Sequence, residues 1–285
     1  MAEYAECGVC FRRCRLAEGR LGFCGGRIAR NGKAEAYNYG RISSLALDPI
    51  EKKPLARFFP GSRILSVGSF GCNLRCPFCQ NHEISWSEQA RRFAETAETI
   101  SPEELVDLAL RTRSRGNIGL AFTYNEPLVG WEFVRDTARL AKAEGLKIVM
   151  VTNGTAALAV LEELRPYIDA MNIDLKGFRD RYYRDVLGGD RGQVLAFIQE
   201  AVKSCHVELT TLIVPGENDS EEEMRELSEW VSRLKNPDGE DVPLHISRFF
   251  PRFHMRDRDA TERAAVYRLA ELAREKLRYV YTGNC

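Results

Sequence analysis

Cys72, Cys76 and Cys79 fall within Gly71-Cys72-Asn73-Leu74-Arg75-Cys76-Pro77-Phe78-Cys79-Gln80-Asn81, a C-x-x-x-C-x-x-C spacing that offers three thiolates to one site. Iron–sulfur clusters usually take four cysteines. A four-iron, four-sulfur cube held by three would keep one iron open to a ligand that the protein does not supply. Structural zinc is the competing use of such a triplet, because zinc sites close with a fourth Cys or His. His82 stands three residues past Cys79 and could be that ligand.

Cys7, Cys10, Cys14 and Cys24 form a second set, the last beside Gly25-Gly26. Four thiolates make a closed tetrahedral site, so this set reads as structural zinc, with an auxiliary iron–sulfur cluster as the alternative. Either would staple a segment too small to fold alone.

The elements that must position these thiols can be read from the rest of the chain. The first sixty residues are rich in Cys, Gly and Arg and show little helical periodicity, so residues 1–60 read as a metal-binding appendage and 61–285 as the main domain. Beyond Arg63, short β-rich runs alternate with longer amphipathic helices, the pattern of βα units around a parallel sheet. The runs are Ile64–Ser69, Gly119–Thr123, Lys147–Val151, Ala170–Ile173, His206–Val214 and Pro243–Ser247. Ser101-Pro102-Glu103-Glu104 and Ser220-Glu221-Glu222-Glu223 read as helix starts with capping boxes. The acidic run Glu221–Glu223 is then ordinary helix N-terminal charge. Six βα repeats fall short of a closed eight-stranded barrel, so the α/β fold expected is a partial (β/α)6 TIM-like barrel.

In barrel enzymes the functional groups gather at the C-terminal ends of the strands. Here Cys72 follows the first run, Asn125-Glu126-Pro127 the second, Thr152-Asn153-Gly154 the third and Asp174-Leu175-Lys176 the fourth. Val214-Pro215-Gly216 ends the fifth and His245 lies on the sixth. All six sets are expected on one rim. Thr-Asn-Gly alone also reads as a turn with a positive φ, and His245 alone also reads as a satisfied core histidine.

Length and composition set outer limits. The 285 residues carry 41 basic and 41 acidic side chains, so no global field draws the chain to nucleic acid or to an anionic membrane. No apolar run reaches membrane-spanning length. Nine cysteines follow a start, Met1-Ala2-Glu3-Tyr4-Ala5-Glu6, without the basic and apolar regions of a secretory signal, and the expected location is the reducing cytoplasm.

The three-cysteine spacing resembles the signature of the radical S-adenosylmethionine superfamily. Tyr124-Asn125-Glu126-Pro127 is similar to the superfamily's Gly-Gly-Glu-Pro loop. Thr152-Asn153-Gly154 and Asp174-Leu175-Lys176 resemble the ribose and carboxylate contacts of the pyruvate formate-lyase activase branch. The resemblance implies a 4Fe-4S cluster on Cys72, Cys76 and Cys79, with S-adenosylmethionine on the open iron. It implies cofactor contacts from Phe78, near the adenine, and from Asn125, Glu126, Thr152, Asn153, Asp174, Lys176 and His245. Val151 departs from the branch, which has an aspartate there for a monovalent cation. The implied reaction is reductive cleavage of S-adenosylmethionine to a 5′-deoxyadenosyl radical that abstracts hydrogen from a small molecule or a protein. No Ser/His/Asp or Cys/His arrangement stands out, and this chemistry requires none for its first step.

Further stretches resemble the radical enzyme of the AmmeMemoRadiSam system: the four-cysteine start, Tyr37–Ser44, Asp48-Pro49-Ile50-Glu51-Lys52-Lys53-Pro54-Leu55, Phe59–Ser62 and Phe249-Phe250-Pro251-Arg252. That resemblance implies Memo-like and AMMECR-like partners, and the chemistry an electron donor such as flavodoxin or ferredoxin. A glycyl-radical activase is the second reading, ranked lower because Lys53–Phe70 lacks the Gly-Pro-Gly-Ile-Arg-like segment of activases. A metal-stabilised binding protein without catalysis is the third.

Overall fold

The computed structural model describes residues 4–285; Met1–Glu3, part of the stretch read for a signal, lie outside the described residues. One eight-stranded sheet organises the chain, in the unbroken order β1 to β8. Its strands are β1 Ser44–Pro49, β2 Arg63–Gly68, β3 Asn117–Thr123, β4 Lys147–Thr152, β5 Ala170–Asp174, β6 His206–Ile213, β7 Leu244–Arg248 and β8 Val280–Gly283. Neighbours from β2 to β8 run parallel, and β1 pairs antiparallel with β2. β1 and β8 are the two edges, so the barrel is open.

The six runs read from sequence coincide with β2 to β7. The sheet adds β8 and β1, and β1 lies in the stretch the sequence assigned to the appendage. Residues 44–60 thus build the barrel: β1 flanks it, and Ile50 and Leu55 pack with Ile64, Ala121, Val149 and Ala170 in a fully buried cluster. The larger core lies with the helices, where Leu105, Ala138, Leu161, Ile198, Leu227 and Leu269 are sealed from solvent. Each helix lies between two strands, as parallel pairing demands of its crossovers.

Helix 102–111 starts on the capping box expected at Ser101, with Glu104 N–H donating to Ser101 Oγ and Ser101 N–H to Glu104 Oε2. Helix 221–231 keeps only half of its box. Ser220 accepts from Glu223 N–H at 3.2 Å, but the buried Glu223 carboxylate accepts from Phe178 N–H at 2.5 Å instead of turning back.

The appendage is two antiparallel hairpins, Tyr4–Glu6 with Arg15–Ala17 and Arg27–Arg30 with Lys33–Ala36. It is stitched to the barrel rim. Ala157 N–H donates to the Val9 carbonyl at 2.8 Å, and buried Arg27 holds both oxygens of Glu132 at 2.7 Å. No helix among the described residues is long and apolar enough to cross a membrane.

Candidate functional site

β2 ends at Gly68, and the chain enters the three-cysteine loop through Gly71, whose φ is +96°. A Cβ there would sit 2.8 Å from the Cys24 carbonyl, so this close approach requires glycine. Cys72 N–H then donates to that carbonyl at 3.0 Å, and Cys79 N–H to the Cys76 carbonyl at 3.2 Å. Arg75 donates to the Cys72 and Leu74 carbonyls at 2.9 and 2.8 Å. These backbone groups are thereby paired within the loop or with the Cys24 carbonyl, and the three cysteines line one cavity of about 350 Å³. Burial pushes all three thiols up, Cys76 to about 11, so a thiolate here requires a cation beside it.

The ends of β3, β4 and β5 supply the facing wall. Glu126 is 3 % exposed and accepts from Leu128 N–H at 3.0 Å, Thr152 Oγ1 at 2.7 Å and Asn153 N–H at 2.7 Å. Burial raises its pKa to about 7 against the pull of those three donors. Its carboxylate therefore does two things: it ties the β3 end to the β4 end, and it lines the cavity. Asn125 accepts from Ser69 N–H and donates to the Gly71 carbonyl, which fixes the cluster loop against β3. Asn153 donates to Asn73 Oδ1 at 3.0 Å and reaches Cys72 Sγ at 3.7 Å, while Gly154 takes the positive φ, +67°, that the turn reading demands. Lys176 Nζ pairs with Asp174 Oδ2 at 2.7 Å. Burial alone would depress the Lys176 ammonium, but the Asp174 charge and its hydrogen bond hold it well above the usual lysine range. Phe78 completes this wall, edge-on to Phe249 with ring centroids 6.0 Å apart.

Phe78, Asn125, Glu126, Thr152, Asn153, Asp174 and Lys176 thus line one cavity with the three cysteines, as does Val151 where a carboxylate would have been needed for a cation. His245 does not. It lies early in β7, its Nε2 2.6 Å from Glu208 Oε2, and Glu208 also meets His206 and the amides of Ala56 and Arg57. The expected cofactor contact at His245 is corrected: the ring belongs to a buried hub that pins the 54–57 segment inside the barrel. His82 is displaced as well. Its ring stacks on Phe253 at 4.2 Å and is not part of the cavity wall, which removes the fourth ligand of the zinc alternative for the triplet.

Several cavity residues escaped the sequence reading. Thr210, Ser247, Arg248, Phe250, Arg252 and Asn284 close the side formed by β6 to β8. Tyr124 is the other omission. It lines the cavity with φ +75°, and its hydroxyl donates to Asp48 Oδ2 at 2.9 Å, which Lys53 and Ser66 also reach at 3.0 and 2.9 Å. A tyrosine in that backbone region is unusual and costs about 1–2 kcal/mol. The signal was present in sequence, since Tyr124 stands where the motif it resembles has glycine.

The N-terminal thiols also converge. Cys7, Cys10, Cys14 and Cys24 face one small space with Arg12 and Arg27, and burial pushes Cys24 to about 12. Yet among the described residues no three His, Cys, Asp or Glu groups stand close enough to hold a metal ion. The expected zinc gains no support from this placement. Three thiols on one cavity with polar walls fit a 4Fe-4S cluster and a cofactor bound at its open iron.

Residues 66–228 match the sequence profile described as the Radical SAM superfamily. An uncharacterized protein of Methanocaldococcus jannaschii is 39% identical over 282 residues, 98% of this chain and 81% of that protein. The pyruvate formate-lyase 1-activating enzyme of Escherichia coli K12 is 28% identical over 190 residues, 65% of this chain and 75% of the enzyme. A crystal structure of a radical SAM methyltransferase from Sphaerobacter thermophilus superposes with a TM-score of 0.58 at 16% identity, covering 79% of this chain and 67% of that one, which shows a shared fold. The chain is an enzyme of the Radical SAM superfamily, similar to the pyruvate formate-lyase activating enzymes.

Proposed function

We propose that this enzyme cleaves S-adenosylmethionine reductively at the Cys72–Cys76–Cys79 loop and uses the product to abstract hydrogen from an anionic or polar substrate. The observation that carries the reading is the convergence of three thiols, Glu126, the Thr152–Asn153 turn and the Asp174–Lys176 pair on one cavity. When bound, the cluster and its cofactor supply one-electron homolysis of a carbon–sulfur bond, giving methionine and a 5′-deoxyadenosyl radical.

The chain's own residues bind and orient. Cys72, Cys76 and Cys79 hold the cluster. Glu126 keeps an acceptor at the ammonium end of the cofactor, its geometry fixed by Thr152 and two backbone amides. Lys176 offers a cation to the cofactor carboxylate, with Asp174 holding the ammonium in place. Asn153 serves the ribose, and Phe78 covers the adenine. Arg248 and Arg252 on the opposite side favour a substrate carrying negative charge. Such a site acts by placing reactants and excluding water.

The similarity to pyruvate formate-lyase activating enzymes supports a second reading, in which the target is a glycine of a partner protein. The resemblance noted in sequence adds Memo-like and AMMECR-like proteins as partners, flavodoxin or ferredoxin as donor, and a cytoplasmic location. The four N-terminal thiols are proposed to hold a second metal group, with auxiliary cluster and zinc as the two outcomes of metal analysis after anaerobic purification. Anaerobic incubation with S-adenosylmethionine, reductant and deuterium-labelled candidates tests the main reading: label must appear in 5′-deoxyadenosine. A glycine-centred electron paramagnetic resonance signal on a candidate partner would favour the activase reading instead.

A further inference from the structure

A second cavity, of about 400 Å³, opens on the other side of the cluster loop, between that loop and the appendage. Cys24, Gly71 and Arg75 form its inner wall, and Phe23, Phe70 and Trp86 its apolar sides. Arg20 and Arg91 also line it, and among the described residues no Asp or Glu does.

The three arginines differ in what remains free. Arg75 is committed to the carbonyls of Cys72, Leu74 and Phe23, and its guanidinium lies over the Phe23 ring at 3.7 Å. Arg20 and Arg91 are exposed, and among the described residues neither guanidinium has a hydrogen-bond or ion-pair partner. Arg75, the arginine beside the cluster loop, already spends its terminal nitrogens on carbonyls rather than on a small anion. A cationic rim around an apolar floor, with Leu21 44% and Phe23 41% exposed beside it, suits instead the acidic surface of a protein.

The position of this surface supplies its purpose. The Cys24 carbonyl on the cavity wall accepts the Cys72 N–H at 3.0 Å, so the floor is one hydrogen bond from a cluster ligand. Ser85 lines both cavities. We infer that the Arg20–Arg91 cavity is the docking surface for a small acidic one-electron carrier protein, which delivers its electron through the Cys24–Cys72 contact behind the substrate cavity. The inference rests on the radical reading above. The carrier gives up one electron, the metal group held by Cys72, Cys76 and Cys79 gains it, and no bond forms or breaks at this surface.

The test measures reduction of the reconstituted holoenzyme by a reduced flavodoxin and, separately, by photoreduced deazaflavin, together with flavodoxin binding by calorimetry. The double variant Arg20→Glu/Arg91→Glu is expected to slow reduction by flavodoxin at least about tenfold at low salt and to remove its salt dependence. Reduction by deazaflavin is unchanged, and Arg20→Lys/Arg91→Lys keeps the flavodoxin rate. Equal flavodoxin rate and affinity in the Glu variant would overturn the inference, as would Arg91-dependent uptake of inorganic phosphate with no flavodoxin binding. Absence of 5′-deoxyadenosine with deazaflavin would instead sink the radical reading, leaving the binding result to stand or fall by itself.

Discussion

The two cysteine sets place the same chemistry in opposite surroundings. The N-terminal four face one another across a space of about 10 Å³, lined besides by Arg12, Arg27, Asn73 and apolar neighbours. The triplet faces about 350 Å³ walled by Glu126, Asp174, Lys176 and Asn153. A thiol set enclosed in so little space suits a staple for its segment or a relay of electrons. The wider cavity, with carboxylates and an ammonium on its walls, has space for a cofactor and a substrate. The sets are also joined, since the Cys24 carbonyl receives the Cys72 N–H and Arg12 donates to the Asn73 carbonyl at 2.8 Å.

The sharpest way to break this contrast is to remove one ligand from each set. Cys76→Ala is expected to bring 5′-deoxyadenosine formation to background, a loss of at least about a thousandfold, with iron content reduced and circular dichroism unchanged. Cys24→Ser should lose the second metal group yet keep the triplet's iron, lowering cleavage about tenfold through a loosened cluster loop. Equal losses in the two variants would mean that both sets are catalytic.

The barrel's other end sharpens the contrast further, because Glu208 is a buried charge without a reaction. Glu208→Ala should cost about 3 kcal/mol in denaturant unfolding while cleavage per folded molecule stays intact. Acid should act through the same group. Its folded pKa, lowered to about 2 by His206, His245 and two amides against the opposing burial, lies below the ordinary 4.5. Its contribution is therefore full above pH 4.5 and is lost as pH falls toward 2, steepening acid unfolding in the wild type relative to Glu208→Ala. The smallest effect is expected at Tyr124→Phe, which removes one hydrogen bond to Asp48 and about 1 kcal/mol of stability, measured by thermal melting.

The parts legible in the sequence were those carried by periodicity and by spacing. β2 to β7 are rich in Val, Ile and Leu and bounded by turns, so their ends, and the motifs on those ends, fell on one rim. β8 was missed because Val280-Tyr281-Thr282-Gly283 is short and half polar, and β1 because its partner makes it a strand. His245 shows the limit of placing a residue by its strand: position early in β7 put it with Glu208, which nothing in the local sequence announces. Glu223 likewise carries a capping-box spacing but serves Phe178, a partner 45 residues away. Arg248, at the end of β7, and Arg252, in the loop beyond it, line the cavity although nothing in their local sequence marks them for it.

The proposed function makes the triplet, and not the N-terminal four, the site of S-adenosylmethionine cleavage. Its most direct measurement is 5′-deoxyadenosine produced by reconstituted enzyme under anaerobic, low-potential conditions, for the wild type beside Cys76→Ala and Cys24→Ser. 5′-Deoxyadenosine is expected from the wild type, none from Cys76→Ala and a reduced but measurable yield from Cys24→Ser. Undiminished formation by Cys76→Ala, or none by a wild type with its iron in place, would contradict it.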